Sequence, residues 1–308
     1  MYIVSGMAEP GQIVAHLTTD TGLVREHNED YVACREPVDS QELQQNGWIY
    51  LVADGVGGAD AGEVASHFAS ERMIAHFVEN SEEPDWGRRL LDAMQAANSD
   101  LRQLVAERNN NSRMATTMVT AVLQENQVFI GNVGDSRAYH WRNGLIQQIT
   151  RDQSLVAKLL EEGAITEAEA EVHPRKNVIL YSLGSENKPK IELFTLTLLP
   201  GDIILLCSDG LTRHVSDREI NDALSNEPPD VAGELLTQMA RQRGGEDNIS
   251  VVVIQYGQAK EQRVSDTAVT HPHLTATQSH RSFLWLYTGF LAVFMIVLIF
   301  FAWLVLRV

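Results

Sequence analysis

Trp48-Ile49-Tyr50-Leu51-Val52-Ala53-Asp54-Gly55-Val56-Gly57-Gly58 is the stretch on which the reading of this chain turns. Its apolar part is too short for a buried helix and rich in aromatic and branched residues, which predicts a buried strand. The strand is expected to stop at a carboxylate followed by glycines. A carboxylate on a rigid strand is held still, and the glycine beside it lets backbone or ligand come close. The same construction returns in Asp202-Ile203-Ile204-Leu205-Leu206-Cys207-Ser208-Asp209-Gly210. Two buried strands, each delivering an Asp-Gly pair, read as two walls of one oxygen-ligand metal site.

Outward from these strands, the pattern predicts short strands at 13–20 and 31–34, joined by a polar loop. That segment gathers Asp20, Arg25, Glu29 and Asp30, a candidate site. After Gly58 the period turns helical, with helices over 62–78 (Val64, Phe68 and Phe77 on the inner stripe) and 85–108. Strands resume at 115–123, 127–133 and 138–141, the last closed by a hairpin turn at Asn143-Gly144. This block is antiparallel rather than an alternation of strands and helices. A short helix runs from a Ser154 cap to a Gly163 stop, followed by an irregular insertion over 164–192. Strand 203–208, helices near 217–225 and 230–242, and a final strand over 249–256 complete the body.

Charge excludes some partners. The 308 residues carry a formal net charge of −17. Residues 258–308 hold four bases against two acids, so residues 1–257 hold 20 bases against 39 acids, a net of −19. Such a body is repelled by nucleic acid and by anionic lipid headgroups, so no nucleic-acid partner is expected. The two cysteines, Cys34 and Cys207, form neither a disulfide framework nor a zinc site. Residues 258–282 read as a flexible linker rich in Thr, Ser, His and Gln. From Phe283 to Leu306 no residue is charged. As a helix this segment spans about 36 Å, against a hydrocarbon core of about 30 Å. The division expected is therefore a domain at 1–257, a linker at 258–282 and a C-terminal transmembrane helix at 283–306. Lys260, Arg263 and Arg281 precede the span and only Arg307 follows it, which puts the domain on the cytoplasmic face of the membrane.

Asp30, Asp54, Asp209 and Asp247, with Asp135 as a fifth, stand beside turns or strand ends. Hard oxygen donors without clustered His or Cys select Mg²⁺ or Mn²⁺. Two such ions can activate a bridging water for in-line attack on phosphorus. Arg25 offers a planar fork for two phosphate oxygens. No Gly-x-x-x-x-Gly-Lys-Ser/Thr loop supports an NTPase reading.

Five motifs in order carry a resemblance: Arg25 with Asn28-Glu29-Asp30, Asp54-Gly55-Val56-Gly57-Gly58, Gly134-Asp135-Ser136-Arg137, Ser208-Asp209-Gly210 and Gly245-Glu246-Asp247-Asn248. Over roughly 13–256 the chain resembles the metal-dependent protein phosphatases, the protein phosphatase 2C-like family, in its compact bacterial form. The resemblance implies an α+β fold, a four-layer α/β/β/α sandwich of two antiparallel sheets flanked by helices. It implies Asp54 bridging two Mn²⁺ or Mg²⁺ ions, with the Gly55 carbonyl as a further ligand. Asp209 and Asp247 would hold one ion, and Asp30 and Glu29 would act near the other, partly through water. Asp135, with Asp209, matches a third-metal position, and Arg25 matches the phosphate-contacting arginine. The catalytic set implied is Arg25, Asp30 and Asp54, and residues 164–190 match a variable flap.

The implied reaction is hydrolysis of phosphoserine and phosphothreonine in proteins by metal-activated water. Its partners would be phosphorylated proteins, a Ser/Thr kinase and its targets, met by a monomeric catalytic domain at the membrane. The alternative is a non-catalytic phosphoprotein-binding module with the same tether. The sequence departs from the family at Val56, Ala59, Gln153 and Tyr181-Ser182, none of them an implied metal ligand. Arg137 reads as a structural ion-pairing residue.

Overall fold

The computed structural model describes residues 13–57, 61–108 and 114–257. In chain order these form β1 (Ile13–Asp20), β2 (Asp30–Arg35), α1 (Ser40–Asn46), β3 (Trp48–Gly57), α2 (Ala61–Glu79) and α3 (Trp86–Glu107). Then come β4 (Met114–Thr116), β5 (Met118–Gln124), β6 (Gln127–Val133), β7 (Arg137–Arg142), β8 (Leu145–Gln148), α4 (Leu155–Glu161) and α5 (Glu167–Glu171). The last are β9 (Glu192–Thr197), β10 (Ile203–Cys207), α6 (Asp209–Thr212), α7 (Asp217–Asn226), α8 (Pro229–Gln242) and β11 (Ile249–Tyr256). The expected linker at 258–282 and span at 283–306 lie outside the described residues, as does Ala59. Among the described residues no helix is long and apolar enough to cross a membrane.

Two antiparallel sheets carry the fold. One runs β1-β11-β10-β7-β8 and the other β2-β3-β5-β6-β9, with β4 also paired to β3. Strand alternation sorts the side chains into layers. On β3, Ile49, Leu51 and Ala53 face α2 and α3, while Tyr50 and Val52 face the other sheet. On β10, Ile204 and Leu206 join that inter-sheet layer, while Ile203, Leu205 and Cys207 pack under α7 and α8. Three apolar layers between four structural ones make the sandwich that the resemblance implied.

Four local expectations need correction. The strand begun at Trp48 does not end at Asp54. It continues to Gly57, because beyond Val52 it gains a new partner in β4, pairing Gly55 with Thr116. The single strand expected over 115–123 is interrupted at Thr117 without a change of register: its amide still donates to the Asp54 carbonyl at 2.8 Å, but the Asp54 amide donates to the Thr117 hydroxyl at 3.0 Å. The inner face of α2 is built from Ala65, Ala69, Met73 and Phe77, while Val64 and Phe68 are only partly covered. Small side chains let this helix lie close on β3. Finally, the insertion over 164–192 is not wholly irregular. It carries α5 behind a Thr166–Glu169 capping box, and its last residue opens the edge strand β9, whose alternation is weak in sequence. The hairpin turn at Asn143-Gly144 is present, with φ of 52° and 81°.

Candidate active site

The inter-sheet layer is apolar along most of its length and becomes acidic at one end. Asp54 shares the parity of Tyr50 and Val52 on β3, and Asp30 sits directly opposite it on β2. From the other sheet, Ser208 follows β10 and donates to Asp30 Oδ2 at 2.7 Å. Asp209 opens α6, Asp247 precedes β11, and Asp135 lies in the turn that carries the chain from β6 to β7. Strand ends from both sheets thus deliver five aspartates to one place.

Backbone contacts hold these carboxylates in position. The Asp54 amide donates to Thr117 Oγ1 at 3.0 Å, and Thr116 Oγ1 donates to the Asp54 carbonyl at 2.9 Å. The Gly55 amide donates to the Glu29 carbonyl at 3.0 Å. A Cβ on Gly55 would lie 2.2 Å from the Gly62 carbonyl oxygen, so only glycine fits between β3 and the start of α2. Asn248 closes the loop before β2: its Oδ1 accepts from the Glu29 amide at 2.8 Å, and its Nδ2 donates to the carbonyls of Thr21 and His27 at 3.0 Å each.

Together these elements wall a cleft of about 150 Å³. Of the residues expected from sequence, Arg25, Glu29, Asp54, Gly55, Asp209 and Asp247 line it. Asp30 and Asp135 are buried behind that lining. Asp20 is not part of the cleft; its carboxylate caps the Gly22 amide at 2.8 Å and meets Arg241 at 3.0 Å. Arg137 binds Asp152 with both arms of its guanidinium, at 2.8 and 2.7 Å, in the ion-pairing role expected of it. Gln153 accepts from the Gly134 amide at 2.9 Å and donates to the Lys190 carbonyl at 3.0 Å, bracing the turn that carries Asp135. The sequence reading missed Asn177 and Ile179 from the insertion and Arg213 from the end of α6, all three of which line the cleft. It quoted Asn248 within a motif without giving it a role. No motif spacing pointed to Asn177 or Ile179; Arg213 was visible as the residue one turn beyond Asp209.

Burial and mutual repulsion shape the electrostatics. Burial, followed by the charges of Asp30, Asp209, Asp135 and Asp247, pushes the Asp54 carboxyl well above the usual range. Asp30 is raised to about 7, again mainly by burial, with the Ser208 and Ser250 hydroxyls pulling it back. Asp135 is raised to about 8 by burial and by Asp209. Burial also raises Asp209, against the opposing pull of Arg213. Glu29 is raised by burial, against Arg25.

Among the described residues no three His, Cys, Asp or Glu side chains are placed closely enough to hold a metal ion as they stand. Two arginines stand between the carboxylates instead. Arg25 reaches Asp247 at 2.8 Å and Glu29 at 3.8 Å, and Arg213 bridges Asp209 and Asp247. The donor set nevertheless suits a hard divalent cation. It is all oxygen, its members repel one another, and Asp135 Oδ1 and Asp209 Oδ1 are buried without a hydrogen-bond partner.

Comparison with known proteins agrees with this geometry. The profile of the family described as protein phosphatase 2C matches residues 24–250. The serine/threonine phosphatase stp of Listeria monocytogenes is 36% identical over 248 residues, covering 78% of this chain and 95% of its own. The crystal structure of the Mycobacterium tuberculosis serine/threonine phosphatase PstP/Ppp superposes with a TM-score of 0.70 at 34% identity, covering 80% of this chain and 99% of that one. A structure of the PstP catalytic domain in complex with two manganese ions superposes with a TM-score of 0.68 at 34% identity, over 80% of this chain and 99% of that one. The chain belongs to the protein phosphatase 2C family.

Proposed function

We propose that this protein is a Mn²⁺- or Mg²⁺-dependent protein phosphatase that hydrolyses phosphoserine and phosphothreonine in other proteins. The observation that carries this reading is the cleft itself, where Glu29, Asp54, Asp209 and Asp247 meet with the Arg25 guanidinium at one end of the two-sheet sandwich. Family membership and the names of the relatives support it.

Asp54, the Gly55 carbonyl, Asp209, Asp247, Glu29 and Asp30 are the residues that would hold two ions, with Asp135 beside Asp209 for a third. When bound, such ions supply positive charge against the phosphoryl oxygens and lower the pKa of water to make a nucleophile near neutral pH. Arg25, 45% exposed at the rim, presents a planar fork to two phosphate oxygens and orients the phosphoryl group. Asp30, set opposite Asp54 on β2, accepts from the Ser208 hydroxyl at 2.7 Å, which fixes its carboxylate beside the position the ions would take. The Thr116 and Thr117 contacts fix the Asp54 backbone, from which its carboxylate projects into the cleft. No cysteine faces the cleft, so a cysteinyl-phosphate intermediate has no nucleophile there.

The test is turnover of a phosphothreonine peptide by the full-length chain with Mn²⁺, with chelator, and with Asp54→Asn. Metal-dependent turnover that disappears in the variant supports the reading. A folded protein with no turnover under any divalent ion points instead to a phosphoprotein-binding module.

The domain division at 257, the tether at 283–306, the cytoplasmic face and a kinase partner belong to the same proposal. They rest on the uncharged segment 283–306 and on the bases flanking it. An acidic domain has no electrostatic reason to visit a membrane, so the apolar segment would have to bring it there, close to membrane-bound kinases and their targets. Removing 283–308 should release the protein from the membrane fraction and leave turnover of a soluble peptide unchanged. Retention at the membrane after that deletion would refute the tether.

A further inference from the structure

Arg213 stands in the middle of the carboxylates. It closes α6 one turn after Asp209, and its guanidinium bonds to Asp209 and reaches Asp247 Oδ2 at 3.1 Å. Its side chain is 27% exposed, and Asp135 adds to the attraction that holds it. Asp247 is thereby saturated. Oδ1 accepts from Arg25 Nη2 at 2.8 Å and from the Asn248 amide at 3.0 Å; Oδ2 accepts from Arg25 at 3.0 Å and from Arg213 at 3.1 Å. A carboxylate offers about four lone-pair sites, so a further electrophile on Asp247 must displace one of these donors. Arg213 is the donor that also grips Asp209, the second carboxylate assigned to the same ion.

We propose that Arg213 is a built-in competing cation, which divalent metal must displace from Asp209 and Asp247, so that this one side chain sets how much free metal the site requires. The inference rests on the metal-dependent reading above. Two physical effects give it the same sign. The guanidinium overlaps the ion in its choice of ligands, and a fixed positive charge beside the site repels a dication even when it has swung aside. Arginine cannot escape by losing its proton, so the competition persists across the working pH range.

The experiment is calorimetric titration of MnCl2 into the full-length chain, stripped of metal and held in detergent, for wild type, R213Q and R213K. R213Q should bind Mn²⁺ more tightly, by about 10-fold, within the range typical of coupling between neighbouring sites. R213K keeps the charge but replaces the planar two-armed fork with a compact ammonium, so it should tighten less. Melting curves of the same proteins should show Mn²⁺ raising the Tm of R213Q more than that of wild type at equal metal. Unchanged or weaker binding in R213Q and R213K, with wild type binding normally, overturns the role of Arg213 alone. A wild-type chain that takes up no Mn²⁺ overturns the metal-dependent reading together with it.

Discussion

Two buried charged regions of this molecule are built in opposite ways. In the first turn of α3, the fully buried Arg89 has no carboxylate partner. Its donors are spent on the Phe77 carbonyl at 2.5 Å, the Gln45 carbonyl at 2.6 Å and Asn46 Oδ1 at 2.6 Å. Its plane lies 4.0 Å over the Phe77 ring, and burial lowers its pKa to about 10. Three aspartates line the cleft with two more behind its wall, and two buried oxygens, Asp135 Oδ1 and Asp209 Oδ1, accept nothing. A charge that serves the fold consumes its own bonding capacity. A charge that serves a ligand leaves capacity over and is held in a state the fold alone would not choose.

That contrast can be broken most directly at Asp54. Asp54→Asn should lower peptide turnover by at least about 10²–10³-fold, the range for loss of one charge-stabilising group in an active site. The same change relieves repulsion, so the Tm measured in chelator should hold or rise. A falling Tm would mean that Asp54 serves the fold. Arg89→Met is the converse. It strands the buried Phe77 carbonyl and Asn46 Oδ1 and should cost about 3 kcal/mol in urea unfolding, while kcat in the folded fraction stays near wild type.

At the cleft rim, Arg25→Ala should reduce kcat/KM on the phosphopeptide by about 10²-fold, and Arg25→Lys should recover only part of it for want of the planar fork. Equal activity in wild type and Arg25→Ala would remove Arg25 from the phosphate.

The smallest effect expected is on pH dependence. Asp30 and Asp135 titrate near 7 and near 8 in the folded chain, against 3.8 for an ordinary aspartate. Across that window the folded chain binds more protons than the unfolded one, so these two groups make stability fall as pH rises through it. Melting in chelator should therefore show Tm declining from pH 5 to pH 8, and saturating Mn²⁺ should flatten the decline. Mn²⁺ binding should itself tighten from pH 6 to pH 8 and release protons, seen as a dependence of the binding heat on buffer ionisation enthalpy. A Tm in chelator that rises over the same interval would place the proton uptake elsewhere.

Much of this site was readable before any coordinates. Glu29, Asp54, Gly55, Asp209, Asp247 and Arg25 were all named from motifs and all line the cleft. Asp54 and Asp209 were legible because each is local: a carboxylate next to a glycine at the end of an apolar run needs only its neighbours to be recognised. The roles of Arg25, Glu29, Gly55 and Asp247 came from the order of motifs that carries the family resemblance. Asn177 and Ile179 were not legible, because what makes them cleft residues is which distant strand they end up beside; Arg213 had only its place one turn beyond Asp209 to mark it. The break at Thr117 belongs to the same class. Its β-branched neighbours favour a continuous strand, and only the Asp54 amide, far off in sequence and bonded to the Thr117 hydroxyl, interrupts the ladder there.

The sequence by itself determined the antiparallel strands, the amphipathic helix α3 and the order of the acidic motifs, since hydrophobic period and turn chemistry act over a few residues. Tertiary structure alone decided that β3 runs on past Asp54, that α2 packs through alanines, and that Asp30 and Asp135 sit behind the cleft wall. It also decided that two arginines hold the carboxylates between them. Each of these outcomes depends on long-range pairing of the two sheets, which brings together charges from residue 25 to residue 247 and makes their repulsion, burial and neutralisation a property of the assembled sandwich rather than of any one stretch.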